Sequence, residues 1–189
     1  SGYVDRDPYD GVRLSNAIEM HTKWDGSPLI ALQLIHRLND VAPGLVVPET
    51  EAMAWGRLGD YERQYRIVYS RADKLAASSR YIEWFEKARL NAQAGSANVM
   101  PDYETGVFKI ISPEGRVFMR KDHPVSGKPE LLRGGSTFVK ADYDPTGDYI
   151  MKISSSSGIE TRLDYDDDWR IRKVSSNRGL ALSFAYGEH

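Results

Sequence analysis

Ile159-Glu160-Thr161-Arg162-Leu163-Asp164-Tyr165 places two kinds of side chain on alternate positions. In an extended strand Ile159, Thr161, Leu163 and Tyr165 share one face, and Glu160, Arg162 and Asp164 share the other. Leu180, Leu182, Phe184 and Tyr186 repeat the pattern against Ala181, Ser183 and Ala185. Strands written this way belong to antiparallel sheets with one buried and one wet side. The buried side needs a cover, and the first half of the chain supplies helices for it.

Working outward, short β-favouring runs alternate with turn clusters all the way back to Gly95. Val107–Ile111 and Arg116–Arg120 flank Ser112-Pro113-Glu114-Gly115, whose second-place proline and fourth-place glycine suit a type I turn. Residues 122–135 read as a loop, with two prolines and three glycines. Thr137–Ala141, Tyr149–Ser154, Ile159–Tyr165, Trp169–Ser175 and Leu180–Tyr186 read as strands, separated by Asp-Pro, Ser-Gly, Asp-rich and Asn-Arg-Gly turns. Ahead of Gly95 the period is helical. Ser27-Pro28 is a serine cap followed by a proline at the first helical position. Leu29, Leu32, Ile35 and Leu38 follow, and Ala42-Pro43-Gly44 stops the run. Helices are expected over Val12–Lys23, from Glu49 to a break at Gly56, and over most of Tyr61–Ala92. Tyr65–Tyr69 is the segment there that could instead be a strand, being aromatic and β-branched.

The composition excludes several classes. The 189 residues carry 25 basic and 27 acidic side chains, a net charge of −2, and neither half is biased. General nucleic-acid binding needs a basic surface, so it is not expected. No apolar run reaches the roughly 20 residues of a membrane span. The absence of cysteine removes disulfides, thiolate catalysis and cysteine-held metals. Ser1-Gly2 reads as an expression remnant, which would hide an N-terminal signal.

The strands also repeat. Tyr143, Tyr165 and Tyr186 are spaced by 22 and 21 residues, and Gly158 and Gly179 by 21. Tyr143-Asp144 and Tyr165-Asp166 each lead into a turn and a strand. This resembles the YD repeat of the bacterial RHS proteins, in which Tyr-Asp is followed by two variable residues, Gly-Arg-Leu, two more, and Val. Arg170, Ile171 and Val174 stand in the matching places, while Trp169 replaces the glycine. The earlier unit keeps Gly147 but has Asp148 for the arginine and one extra residue before Ile153. The resemblance covers residues 141–189. It implies a structural or packaging role in a secreted shell, with no catalytic residues in the repeat. Two or three units leave apolar faces uncovered. The chain is therefore read as a piece of a larger protein or as a small domain that covers its hairpins with helices.

Candidate chemistry is sparse. Asp142, Asp144, Thr146, Gly147 and Asp148 have the opening spacing of a calcium loop, but Ile153 stands where a bidentate glutamate is required. Asp164, Asp166, Asp167 and Asp168 form a second acidic cluster, with Arg162, Arg170 and Arg172 as its expected partners. His21, His36, His123 and His189 make no ligand pair. Arg71, Ser136-Thr137 and Glu160 occur in the order used by mono-ADP-ribosyltransferase toxins, a loose resemblance in which arginine and serine hold the dinucleotide and glutamate activates the acceptor. Phe138 and Gly158 break that pattern. Glu19, Asp25, Glu49 and Glu51 near Trp24 and Trp55 could serve a glycan hydrolase.

The sequence thus predicts one α+β domain, residues 1–189. A helical half (1–95) packs on a β half (96–189), an antiparallel meander of six or seven strands. The expected role is a non-catalytic binding or structural domain of a bacterial secreted or cell-envelope system. It uses no cofactor and meets a protein partner. An effector enzyme and an assembly domain of a secretion machine are the alternatives. The expected compartment is secreted or periplasmic, with the cytoplasm as alternative.

Overall fold

A computed structural model describes residues 10–23, 25–70 and 79–187. The fold is α+β, with helices first and an antiparallel sheet second. It forms two compact units, divided between Val117 and Phe118.

The first unit holds five described helices: α1 (Asp10–Thr22), α2 (Pro28–Val41), α3 (Pro48–Arg57), α4 (Tyr61–Tyr69) and α5 (Ser79–Ala94), with a 3-10 turn at Pro43–Leu45. The hairpin of β1 (Asn98–Asp102) and β2 (Val107–Ile111) completes it. As the sequence predicts, the Ser27 hydroxyl accepts the N–H of Ile30 and starts α2. Leu29, Leu32 and Leu38 from α2 pack in one core with Trp55 of α3 and with Val99 and Phe108 of the hairpin. The helices do cover a β surface there. Asp60 links the layers: its carboxylate accepts the N–H of Arg63, capping α4, and the N–H of Val99 on β1. Arg63 pairs with Asp60 and lies 4.4 Å over the Trp55 ring. Tyr65–Tyr69 is helical, because Asp60 caps the segment and Val68 buries with Ala52.

The second unit is a meander: β3 (Val117–Asp122), β4 (Pro129–Gly134), β5 (Thr137–Tyr143), β6 (Ile150–Ser155), β7 (Glu160–Tyr165), β8 (Ile171–Ser176) and β9 (Ala181–Ser183). Strands follow sheet order as they follow chain order, and number nine rather than six or seven. The two unforeseen strands are β1 and β4. Pro101 interrupts the first and Pro129 opens the second, positions open to proline only at a sheet edge or a strand start.

The buried side expected for the last strands differs from the finding. Leu180, Leu182, Phe184 and Tyr186 are all exposed. Ala141 is the one buried apolar residue described in this unit. Its order comes instead from hydrogen-bonded turns and stacked rings.

Candidate functional site

The repeat is built from three recurring devices. The first is a tyrosine staple. The hydroxyl of Tyr143 donates to the carbonyl of Pro129 at 3.0 Å, that of Tyr165 to Ile150 at 2.8 Å, and that of Tyr186 to Ile171 at 2.8 Å. Each acceptor opens a strand, β4, β6 or β8, and the tyrosine that reaches it ends β5 or β7 or follows β9. Burial pushes the pKa of Tyr143 and Tyr165 up.

The second device is a bulge. The register slips between Lys121 and Asp122, between Asp142 and Tyr143, and between Asp164 and Tyr165. An extra residue at one point re-aims the side chain that follows. The recurrence extends the repeat one unit further back than the tyrosines reveal, to Asp122-His123. There Asp122 is buried and paired in bidentate fashion with Arg120, at 2.8 and 2.7 Å.

The third device is the aspartate-capped turn. Asp144 accepts the Thr146 hydroxyl at 2.6 Å and the N–H groups of Thr146, Asp148 and Tyr149. These bonds, led by that of the Thr146 hydroxyl, outweigh burial and lower its pKa to about 2. Asp166 accepts the N–H of Asp168 and of Arg170 and the Arg170 side chain at 2.8 Å, and its pKa is lowered, chiefly by the Arg170 N–H. In the first repeat the Nδ1 of His123 accepts from Val125 and Ser126 in the same way.

One turn breaks the pattern. Gly127 and Gly147 take the left-handed conformation, with φ of 70° and 76°. Trp169 takes it in the third repeat at φ 60°, the one non-glycine to do so among the described residues. A bulky residue there is strained, and such strain clusters at working surfaces. Trp169 stacks on Tyr149 with ring centroids 4.3 Å apart and planes 18° apart, and lies 6.0 Å from Tyr165. It remains 48% exposed, at a shallow concavity of about 470 Å³ edged by Met151, Asp164, Asp167 and Arg172. The sequence marks Trp169 as the residue replacing a glycine, but not the stack with Tyr149, which depends on how successive turns pile up.

Among the described residues the other candidates stand apart from one another. Arg71 lies outside the described residues. Ser136 sits in the turn between β4 and β5, and Glu160 opens β7, with β6 between β5 and β7. Asp142 stands apart from the calcium-like turn. Its carboxylate takes Lys140 at 3.0 Å and Lys152 at 3.2 Å. Burial opposes ionisation of Asp142, but the two lysines outweigh it and its pKa is lowered. Asp148 pairs with Lys128 at 3.4 Å. Among the described residues no cluster of three or more histidine or acidic side chains is placed to hold a metal. His21 is buried and accepts the Ser27 N–H, while His36 stacks on Tyr103 at 4.0 Å. His189 and Trp24 lie outside the described residues. In the helical unit Glu51 accepts the Trp55 indole N–H at 3.3 Å along α3. A cleft of about 260 Å³ there has Glu19 as its carboxylate, where hydrolysis by paired carboxylates needs two.

No protein-family model matches the chain, and no curated protein is similar to it.

Proposed function

We propose that the chain is a non-catalytic binding and structural module: stapled hairpins form a scaffold and Trp169 is the contact that it offers to a protein partner. The observation that carries this reading is Trp169 itself. The scaffold uses glycine for the left-handed residue of two turns, and the third turn holds an exposed indole in that conformation. A strained, half-exposed aromatic braced by a second ring is costly to the fold, which supports a use for it outside the fold. The carboxylates of Asp164 and Asp167 beside it outnumber the one guanidinium, that of Arg172, and favour a cationic side chain over the ring. The polar groups of the turns are engaged in capping, which supports a role without catalysis. The secreted or cell-envelope setting rests on the likeness to YD repeats alone.

The test is an NMR titration of the Trp169 indole N–H with a short alternating arginine–serine peptide, against its glutamate–serine counterpart. The reading expects a saturable shift with the arginine peptide, absent with the glutamate peptide. An unmoved indole signal, or an equal response to both peptides, overturns it.

A further inference from the structure

The last strand departs from its own repeat. Aligned on the tyrosines, Lys140 of β5 and Arg162 of β7 correspond to Ser183 of β9, and Asp142 and Asp164 correspond to Ala185. In the earlier repeats the aspartates meet a lysine of the next strand: Asp142 pairs with Lys152 of β6 at 3.2 Å, and Asp164 stands opposite Lys173 of β8. Residues 180–186, Leu-Ala-Leu-Ser-Phe-Ala-Tyr, hold no charge on either face. The edge of β9 is therefore not matched to a lysine-bearing strand like β6 or β8.

That edge is nonetheless ordered. Among the described residues β9 is the terminal strand of the sheet and pairs with β8 alone, Leu182 opposite Val174. The N–H of Ser176 donates to Leu180 at 2.8 Å and the N–H of Phe184 to Arg172 at 2.9 Å, so residues 180, 182 and 184 turn their backbone groups toward β8. In an antiparallel ladder the alternate residues, Ala181 and Ser183, then turn theirs to the open side. The Tyr186 staple fixes the end of the segment. Natural sheets guard such edges with lysine, proline or an inward charge, and none stands here. Leu180 is 74% exposed, Leu182 65% and Phe184 45%.

The geometry points to a second copy of this chain as the occupant, pairing β9 with β9 in antiparallel fashion about a two-fold axis at Ser183. A neutral strand is self-complementary, since neither face brings like charges together. Open backbone groups at odd positions require odd residues to pair with odd, which the axis at Ser183 satisfies. Ser183 then faces its own copy, and Leu182 faces the partner's Phe184. The exposed apolar rows of both copies join into one. The small Ala181, Ser183 and Ala185 offer no obstruction on the other face. This inference rests on β9 alone and is independent of the docking role of Trp169.

Sedimentation of the full chain over a wide concentration range tests it. The wild type is expected to move from monomer to dimer. Ser183→Lys and Ser183→Glu, both on an exposed strand position, are each expected to stay monomeric with unchanged circular dichroism. An equimolar mixture of the two is expected to form the heterodimer. Ser183→Cys, the only thiol in the chain, is expected to give a disulfide-linked dimer under mild oxidation, while Arg178→Cys in the neighbouring turn is not. A wild type that stays monomeric, a dimer indifferent to Ser183→Lys, a mixture that fails to reassociate, or equal crosslinking through both cysteines overturns the proposal.

Discussion

The hydroxyl of Tyr165 donates to the carbonyl of Ile150 at 2.8 Å, spanning fifteen residues of chain. The bond crosses from the end of β7 to the start of β6 and so ties one unit of the repeat to the one before it. On the other side of β7, the pairing with β8 slips just before Tyr165 and leaves Arg172 as the extra residue. Its ring meets Tyr149, which closes the preceding turn, edge-on at 5.4 Å. In the next unit the residue closing the turn is Arg170, whose guanidinium lies 4.8 Å over the Tyr186 ring. Thus each tyrosine receives a lid from the turn before it. The strands of the second unit, where Ala141 is the one described buried apolar residue, are held by such contacts between repeats.

Tyr165→Phe keeps the ring and removes the bond. It should lower stability by about 1 kcal/mol, the usual net worth of one hydrogen bond. Tyr143→Phe and Tyr186→Phe should cost less, because their bonds face solvent. Urea unfolding of the three variants, followed by circular dichroism, checks the order. Equal losses at all three positions would show that burial of the bond is not what matters.

Trp169 allows a comparison that cancels its stacking. Trp169→Gly and Trp169→Ala both lose the contact with Tyr149, but only glycine accepts φ 60° without strain. The glycine variant should therefore be the more stable of the two by about 1–2 kcal/mol. Denaturation midpoints in urea decide the sign, and an alanine variant at least as stable would mean that the turn relaxes.

How much of this was legible follows from the range of the forces involved. The caps of α2 and the alternation of β7 involve neighbours a few positions apart, so the sequence displays them. Helix α4 was ambiguous, because Tyr65–Tyr69 has strand propensity and the cap that overrides it is Asp60, just ahead of the helix. Strand β4 was hidden by its proline and glycines, and it forms because β3 and β5 pair with it on both sides. The first unit of the repeat carries Asp122-His123 where the later ones carry Tyr-Asp, so it is visible only through its bulge. The related strands Ile150-Met151-Lys152-Ile153-Ser154-Ser155 and Ile171-Arg172-Lys173-Val174-Ser175-Ser176 were a readable signal of the 21-residue period. Exposure of the row at Leu180 was not legible, since alternation shows that a face is apolar and not that anything covers it.

Acid should loosen the second unit through Asp144. Its folded pKa is about 2, below the ordinary 3.8. The unfolded chain therefore binds the proton first, and the carboxylate's contribution is complete above about 3.8 and lost as pH falls toward about 2. Asp142 and Asp166, also lowered, act in the same direction. Asp144→Asn should be less stable than wild type at neutral pH, and the gap should close as the pH drops through that window. Urea midpoints measured across the window test this, and a gap that stays constant would show that the charge of Asp144 does not stabilise its turn.

Two glycines with nearly the same backbone separate strain from space. Gly147 and Gly158 have φ of 76° and 75°. A methyl group on Gly158 would meet nothing within 4 Å, whereas one on Gly147 would run into the His123 ring and the Ser126 hydroxyl of the turn before it. Gly158→Ala should therefore cost only the left-handed conformation itself, about 1–2 kcal/mol. Gly147→Ala carries that cost and must also displace His123, whose Nδ1 holds the N–H groups of Val125 and Ser126. His123 is buried and lies 5.6 Å from the Tyr143 ring, so its movement disturbs the first staple as well as the first turn. Gly147→Ala should be the more destabilising by a clear margin. The NMR signals of Ser126 and Tyr143 should shift in that variant and stay in place in Gly158→Ala. Equal losses from the two substitutions would mean that the turns of successive units do not pack on one another at Gly147.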